Sequence, residues 1–163
     1  MCNMADNTED HIIIYTDGAC LGNKGGDPGG WAAVILHGPE DIAKISGSDL
    51  FTTNNRMELQ AIIEGLNFCP SGSQILLYSD SQYAVKGFNE WLPGWKKKGW
   101  KNSSNKAVAN KDLWQVLEDA VARHKIVSLN WIRGHNGDHL NEEADRLANE
   151  AIPYHGSLLD DDD

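Results

Sequence analysis

The hydrophobic pattern changes period several times along the chain. His11 to Thr16 is a short β-branched run closed by Asp17–Gly18, which predicts a buried strand and a turn with Asp17 at the strand end. Gly22 to Gly30 holds five glycines and Pro28 and reads as a loop, after which Trp31 to Leu36 resumes strand character. Gly38–Pro39 marks the next turn, and a third strand is predicted over Ile42 to Leu50. No helical crossover fits between these three strands, so they should pair antiparallel. From Asn54 the period becomes helical: Met57, Leu59, Ile62, Ile63, Leu66 and Phe68 share one face, which predicts a helix over about 55–68 with Asn54 or Asn55 as its N-cap. Gln74 to Tyr78 reads as a strand delivering Ser79–Asp80, and Ser81 to Phe88 as a short helix. Trp91 to Asn110 is rich in Trp, Lys and Gly and reads as too polar for the main core, with Trp91 and Trp95 at i,i+4 able to staple a small satellite core among solvated lysines. A helix over Asp112 to His124, a strand over Ile126 to Ile132 and a helix over Glu142 to Ala151 complete the chain. The order β-β-β-α-β-α-α-β-α predicts an α/β fold: one mixed five-stranded sheet, three strands antiparallel and then parallel ones, flanked by helices. Ligand sites in such folds tend to lie at the carboxyl ends of parallel strands.

A length of 163 residues suits one domain, and no run approaches the ~20 apolar residues of a membrane span. Three cysteines without a CxxC pair point to reduced thiols, and the polar start has no signal-peptide pattern, so a cytoplasmic protein is expected. The net charge of −10 argues, taken whole, against a nucleic-acid partner. Its distribution reverses that argument. Asp6, Glu9 and Asp10 sit in an N-terminal lead (1–10) and Asp160 to Asp163 in a C-terminal tail (153–163); without these seven, residues 11–159 carry −3. Residues 86–111 hold seven of the 14 basic residues against Glu90 alone, a local +6. Such asymmetry is a statement about partners, not fold. The domain proper spans 11–152, with a basic protrusion at about 88–110.

Four acids are poorly explained as solvated surface: Asp17, Glu58 inside an apolar helix, Asp80 after its strand, and Asp145. Carboxylates converging at one sheet end repel and need cations, for which hard divalent ions with oxygen ligands, Mg²⁺ or Mn²⁺, are suited. Two such ions can activate water and stabilise the leaving oxygen of a phosphodiester. The predicted chemistry is therefore phosphoryl hydrolysis.

Tyr15–Thr16–Asp17–Gly18–Ala19–Cys20, Thr53 to Leu59, Tyr78 to Tyr83 and Arg133 to Gly137 followed by Asn141 to Asp145 together resemble type 1 ribonuclease H of the bacterial form, over about residues 11–152. The resemblance implies the ribonuclease H-like fold and an endonuclease cutting the RNA strand of RNA–DNA hybrids, leaving 5′-phosphate and 3′-hydroxyl ends. It implies Asp17, Glu58, Asp80 and Asp145 as catalytic ligands of two ions, and His135 as a proton-transfer or product-release group. By the same resemblance Cys20, Gly22, Asn23, Asn54, Asn55 and Gln82 would line the minor groove, where a 2′-hydroxyl distinguishes RNA. Thr53 and Asn110 match positions that bind a DNA phosphate, while Phe51 stands where some members have Arg. Trp91, Lys96, Lys97, Lys98 and Trp100 belong to a protrusion expected to grip the DNA strand. The partner is thus expected to be RNA–DNA hybrid, with no membrane, and the enzyme a monomer. The acidic end, Leu158 to Asp163, reads first as a disordered solvating tail and second as an exposed segment that could dock on a basic apolar groove of a protein partner. Two competing readings are a DNA nuclease or transposase-like relative, and a binding module whose acids are structural.

Overall fold

The structure is a computed structural model that describes residues 11–22, 26–39, 42–134 and 139–153. Strands β1 (His11–Cys20), β2 (Asp27–Leu36) and β3 (Ile42–Thr52) precede helix α1 (Asn54–Phe68) and strand β4 (Gln74–Ser79). Helix α2 (Gln82–Lys86) then runs through a π-helical turn (Gly87–Trp91) into α3 (Leu92–Lys97), followed by α4 (Lys111–Ala122), β5 (Ile126–Trp131) and α5 (His139–Ala151). The sheet order is β3-β2-β1-β4-β5, with β1–β2 and β2–β3 antiparallel and β1–β4 and β4–β5 parallel, as the element order predicts. No described helix is long and apolar enough to cross a membrane.

The apolar face of α1 lies against the sheet and buries Leu59, Ile62 and Leu66 completely, together with Ile14 and Ile75 of the strands. Close approach is secured by glycine where it matters. A side chain at Gly18 would lie 2.5 Å from the backbone of Met57 and Glu58, so β1 and the first turn of α1 touch without a Cβ between them. A Cβ at Gly30 would meet the carbonyl oxygen of Ala148, which lets α5 settle on β2.

Several boundaries differ from the sequence reading. Asp17 is not at a strand end, nor is Asp17–Gly18 a turn: β1 continues to Cys20 because β2 begins at Asp27, inside the predicted loop, and pairs with it as far as Cys20↔Gly29. What ends next to Asp17 is the parallel ladder with β4, at Thr16↔Ser79, so Asp17 and Asp80 are the residues following the last parallel pair on neighbouring strands. The N-cap of α1 is Thr53, whose hydroxyl accepts from the Arg56 N–H at 3.2 Å; Asn54 and Asn55 are the first helical residues and are exposed. The short helix predicted to end at Phe88 continues to Lys97. Pro93 offers no N–H to the turn before it, and the wider π turn, where the Leu92 N–H reaches the Gly87 carbonyl, carries the chain past it. Finally, the Trp-rich stretch is not outside the core. Leu92 and Val108 are buried, and Trp95 and Trp100 pack on the main apolar cluster around the fully buried Trp114.

Candidate active site

Asp17 comes from β1, Glu58 from the first turns of α1 and Asp80 from the turn after β4. One oxygen from each lies within 4.8 Å of the others. Asp17 and Glu58 are only 4 % and 5 % exposed. The Asp80 turn is braced from three sides. The Ser79 hydroxyl accepts from the Ser81 N–H at 3.0 Å, the Ser79 carbonyl accepts from Ile132 N–H at 3.0 Å, and the Trp131 indole N–H donates to the Asp80 carbonyl at 3.2 Å. Gly134 lies so close that a Cβ there would sit 2.6 Å from the Asp80 Oδ2.

Burial, then the charge of Asp80 and a hydrogen bond with Asp145, push the Asp17 carboxyl up to about 8. Burial and the charges of Asp17 and Asp80 hold Glu58 well above the usual carboxylate range, against the pull of the Gly18 N–H. That N–H also donates to Asp17 Oδ1 at 2.8 Å. Asp145, on α5, touches Asp17 but stands outside the tight group of three. Its own Oδ1 and carbonyl accept from the Asn149 amide at 3.3 and 2.9 Å. Neighbouring Glu143 is committed elsewhere, to Lys44 at 3.0 Å and Arg146 at 2.6 Å, so of these acids Asp145 is the one turned to the site.

The residues fit a divalent cation. Glu58 Oε1 is buried without a hydrogen-bond partner, and among the described residues no Lys or Arg ion-pairs with Asp17 or Glu58. An acceptor-only set of buried oxygens with raised proton affinity is the donor chemistry hard divalent ions take.

Asn54, Asn55 and Gln82 are exposed and Gly22 is half-buried. Cys20 is half-buried with its thiol turned to the Asp27 and Thr52 carbonyls, at 3.7 and 3.6 Å. Thr53 and Asn110 are brought together through Arg56, which donates to Asn110 Oδ1 at 3.2 Å. In the protrusion, Trp91, Trp95, Lys98 and Lys101 line a concavity of about 380 Å³. Lys96 is drawn away from it: its ammonium pairs with Glu118 of α4 at 2.5 Å. Among the described residues Lys97 and Lys98 form no ion pair. Trp100 is half-buried on the apolar cluster at φ 67° and does not reach outward as Trp91 does. His135, Asn23 and the acidic tail lie outside the described residues. Sequence reasoning gave no site role to Arg56, Tyr83, Trp131 or Gly134: Trp131 and Gly134 lie against Asp80, while Arg56 and Tyr83 hold the Asn110 side chain, and the available signal for the latter two was their place inside the motifs around Glu58 and Asp80.

The RNase H family profile matches residues 9–153. The ribonuclease H of Janthinobacterium sp. (strain Marseille) is 50 % identical over 143 residues, covering 88 % of this chain and 96 % of that one. Among solved structures, LC9-RNase H1, described as a type 1 RNase H with the type 2 active-site motif, superposes with a TM-score of 0.76 at 35 % identity, over 88 % of this chain and 72 % of that one. LC11-RNase H1, solved in complex with RNA/DNA hybrid, gives 0.66 at 25 % identity, over 88 % of this chain and 98 % of that one. With a matching profile over nearly the whole described fold and a relative at half identity, the chain belongs to the RNase H family.

Proposed function

We propose that this enzyme cuts the RNA strand of RNA–DNA hybrids internally, leaving 5′-phosphate and 3′-hydroxyl ends, with Asp17, Glu58, Asp80 and Asp145 as ligands of two divalent ions, Mg²⁺ or Mn²⁺. The observation that carries it is the buried trio Asp17, Glu58 and Asp80, with oxygens within 4.8 Å of one another in a fold of this family. Two ions held there would supply a nucleophilic water at neutral pH and charge compensation for the leaving oxygen.

The chain's own residues supply the rest. The Gly18 N–H fixes the Asp17 carboxylate, Asn149 fixes Asp145, and the Trp131 and Ser79 contacts hold the Asp80 turn, so the ligand oxygens are set in place before substrate arrives. The exposed Asn54, Asn55 and Gln82 and the half-buried Gly22 offer polar groups to the minor groove, with Asn23 next to Gly22 in sequence and Cys20 contributing through its backbone. Trp91, Lys97, Lys98 and Lys101 offer the protrusion's outer face to the DNA strand, and Thr53 and Asn110 receive one of its phosphates. His135 acts in proton transfer or product release. All these groups come from one chain, which accords with a monomer, working in the cytoplasm.

The test is a hybrid labelled separately on each strand, incubated with Mg²⁺. RNA-strand cleavage lost in Asp80→Asn with hybrid affinity retained is the expected result; no RNA cleavage, or equal cutting of duplex DNA, would refute the reading.

A further inference from the structure

Helix α2 and the π turn after it have two flanks with different company. Tyr83 and Gly87 turn one of them to the buried indole of Trp114, on the side of the protrusion. The other flank carries Gln82, Val85, Lys86, Asn89 and Glu90, and with Trp131 of β5 it encloses a groove of about 220 Å³. Because β5 is an edge strand of the sheet, the groove opens away from the protrusion. Its floor is apolar and fixed. Val85 is buried, and Trp131, 44 % exposed, already donates its indole N–H to the Asp80 carbonyl at 3.2 Å, which holds the ring in place. Asn89 is anchored as well, its amide donating to the Leu129 carbonyl at 3.1 Å. At the rim, Lys86 and Glu90 are both exposed, and among the described residues neither forms an ion pair. The wider π turn that begins at Gly87 takes them out of the i, i+4 spacing at which they would meet.

An immobile indole beside a buried valine takes a flat apolar surface, an ammonium at the rim takes a phosphate, and the Glu90 carboxylate and Asn89 amide oxygen accept protons from the edge of a base. A nucleotide meets all three demands. Bases inside a hybrid are paired and stacked on one another and cannot reach an indole, so the occupant is an unpaired one. Position selects the strand. Trp131 touches the Asp80 turn and Gln82 faces RNA in the function above, whereas Trp91, offered to the DNA strand, turns its ring to Tyr83 and Trp95 on the opposite flank. Resting on the hybrid-cleaving function proposed above, we propose that this groove binds an unpaired nucleotide of the RNA strand where that strand leaves the hybrid beside the active site, with its base stacked on Trp131 and its phosphate at Lys86. The enzyme then favours cutting near hybrid ends from which the RNA continues as a single strand.

The experiment compares hybrids whose RNA strand ends flush with hybrids in which it continues as a short unpaired extension, either carrying its bases or abasic, and measures kcat/KM for the cut nearest that end. The two RNA ends are extended in separate hybrids, and the effect belongs to the end that leaves the active site on the β5 side. There the extension with bases should raise the wild-type value about tenfold over the abasic one, within the scale of stacking one base on an aromatic side chain. That ratio should fall close to one in Trp131→Leu, whatever the variant's overall rate. Lys86→Ala should keep the ratio but lose the smaller gain of the abasic extension over the flush end, which reports the phosphate; an unchanged gain would overturn that contact. No difference between bases and abasic residues at either end, or an undiminished ratio in W131L, would overturn the proposal. A second arm measures the wild type labelled with 5-fluorotryptophan, with chelator present. Its Trp131 ¹⁹F resonance, assigned by its absence from Trp131→Phe, should move on binding the hybrid extended with bases and stay at its flush-hybrid position when the extension is abasic; identical positions would overturn the proposal. A wild type that cuts no hybrid would sink the function proposed above, and the groove would then be decided by the resonance arm alone.

Discussion

Asp17 sits buried beside Asp80 and Asp145, and in the metal-free protein burial followed by those neighbours pushes its carboxyl up to about 8. Between its ordinary range and that value the folded chain holds a proton the unfolded chain has released. Stability contributed by the neutral form is therefore complete at acid pH and lost as pH rises through this window; Glu58 acts in the same direction. We expect the melting temperature of chelated protein to fall between pH 5 and pH 8 by several degrees, at about 2–4 °C per kcal/mol for a chain of this size. Asp17→Asn should flatten that fall and raise the pH 8 value, while saturating Mg²⁺ should stabilise the wild type more than the variant. Calorimetry across the pH series decides it: parallel curves for the two proteins would contradict the assignment. A second outcome concerns the neighbouring glycine. In Gly18→Ala the new methyl meets the rigid backbone of Met57 and Glu58, not a movable side-chain tip, so urea unfolding should show a loss of about 2–3 kcal/mol.

At the scale of elements, the protrusion is an extension of the core and not an appendage. Gly87 makes this possible: a Cβ there would enter the ring of Trp114, so the π turn lies directly on that indole. Trp95 stacks edge-on against the same ring at 5.4 Å. The lysines beyond are thus carried on a rigid base, and they are not equivalent. Replacing Lys97, Lys98 and Lys101 by Ala should weaken hybrid binding and reduce its salt slope by roughly 2–3, about one unit per lost phosphate contact; Lys96→Ala, whose ammonium is already paired with Glu118, should leave the slope nearly unchanged. Affinities over a salt series separate the two. The sequence shows why one half of this was readable and the other not. Strands and helices with a single apolar period, such as Leu59 to Leu66, declare their buried face, and the motifs around Asp17, Glu58 and Asp80 announced the trio that the fold brings together. Local composition could not reveal that Trp95, among lysines, packs on a tryptophan 19 positions later, or that Lys96 meets Glu118, because both depend on how α3 and α4 dock. The cap of α1 falls on Thr53 and not on Asn54 or Asn55, although asparagine is the stronger capping residue, because it is Thr53 that has the extended backbone from which a side chain can reach the Arg56 N–H.

Across the whole molecule, the net charge of −10 conceals two opposed fields: a +6 stretch over residues 86–111 and a buried carboxylate centre. Phosphate is attracted to the first and, above about pH 8 where the Asp17 carboxyl is ionised, repelled by the second, so a hybrid lying across both meets a repulsion that divalent ions would remove. Binding of metal and of hybrid should consequently be coupled, and coupling of equilibrium affinities is reciprocal. Measured at about pH 9, where the metal-free Asp17 carboxyl is ionised, with a hybrid carrying non-hydrolysable linkages and ionic strength held constant by monovalent salt, Mg²⁺ should tighten binding about fivefold or more, and the hybrid should raise Mg²⁺ affinity by the same factor. In a doubly neutralised chain, Asp17→Asn with Glu58→Gln, the metal-free repulsion is already gone. Its affinity without Mg²⁺ should then approach that of the metal-loaded wild type, and added Mg²⁺ should change it little. General screening predicts the opposite pattern, since an ion acting only on the nucleic acid would weaken binding in both proteins alike. Titration calorimetry of the two proteins, with and without Mg²⁺, distinguishes these outcomes, and equal weakening in both would show that the acidic centre does not sense the substrate.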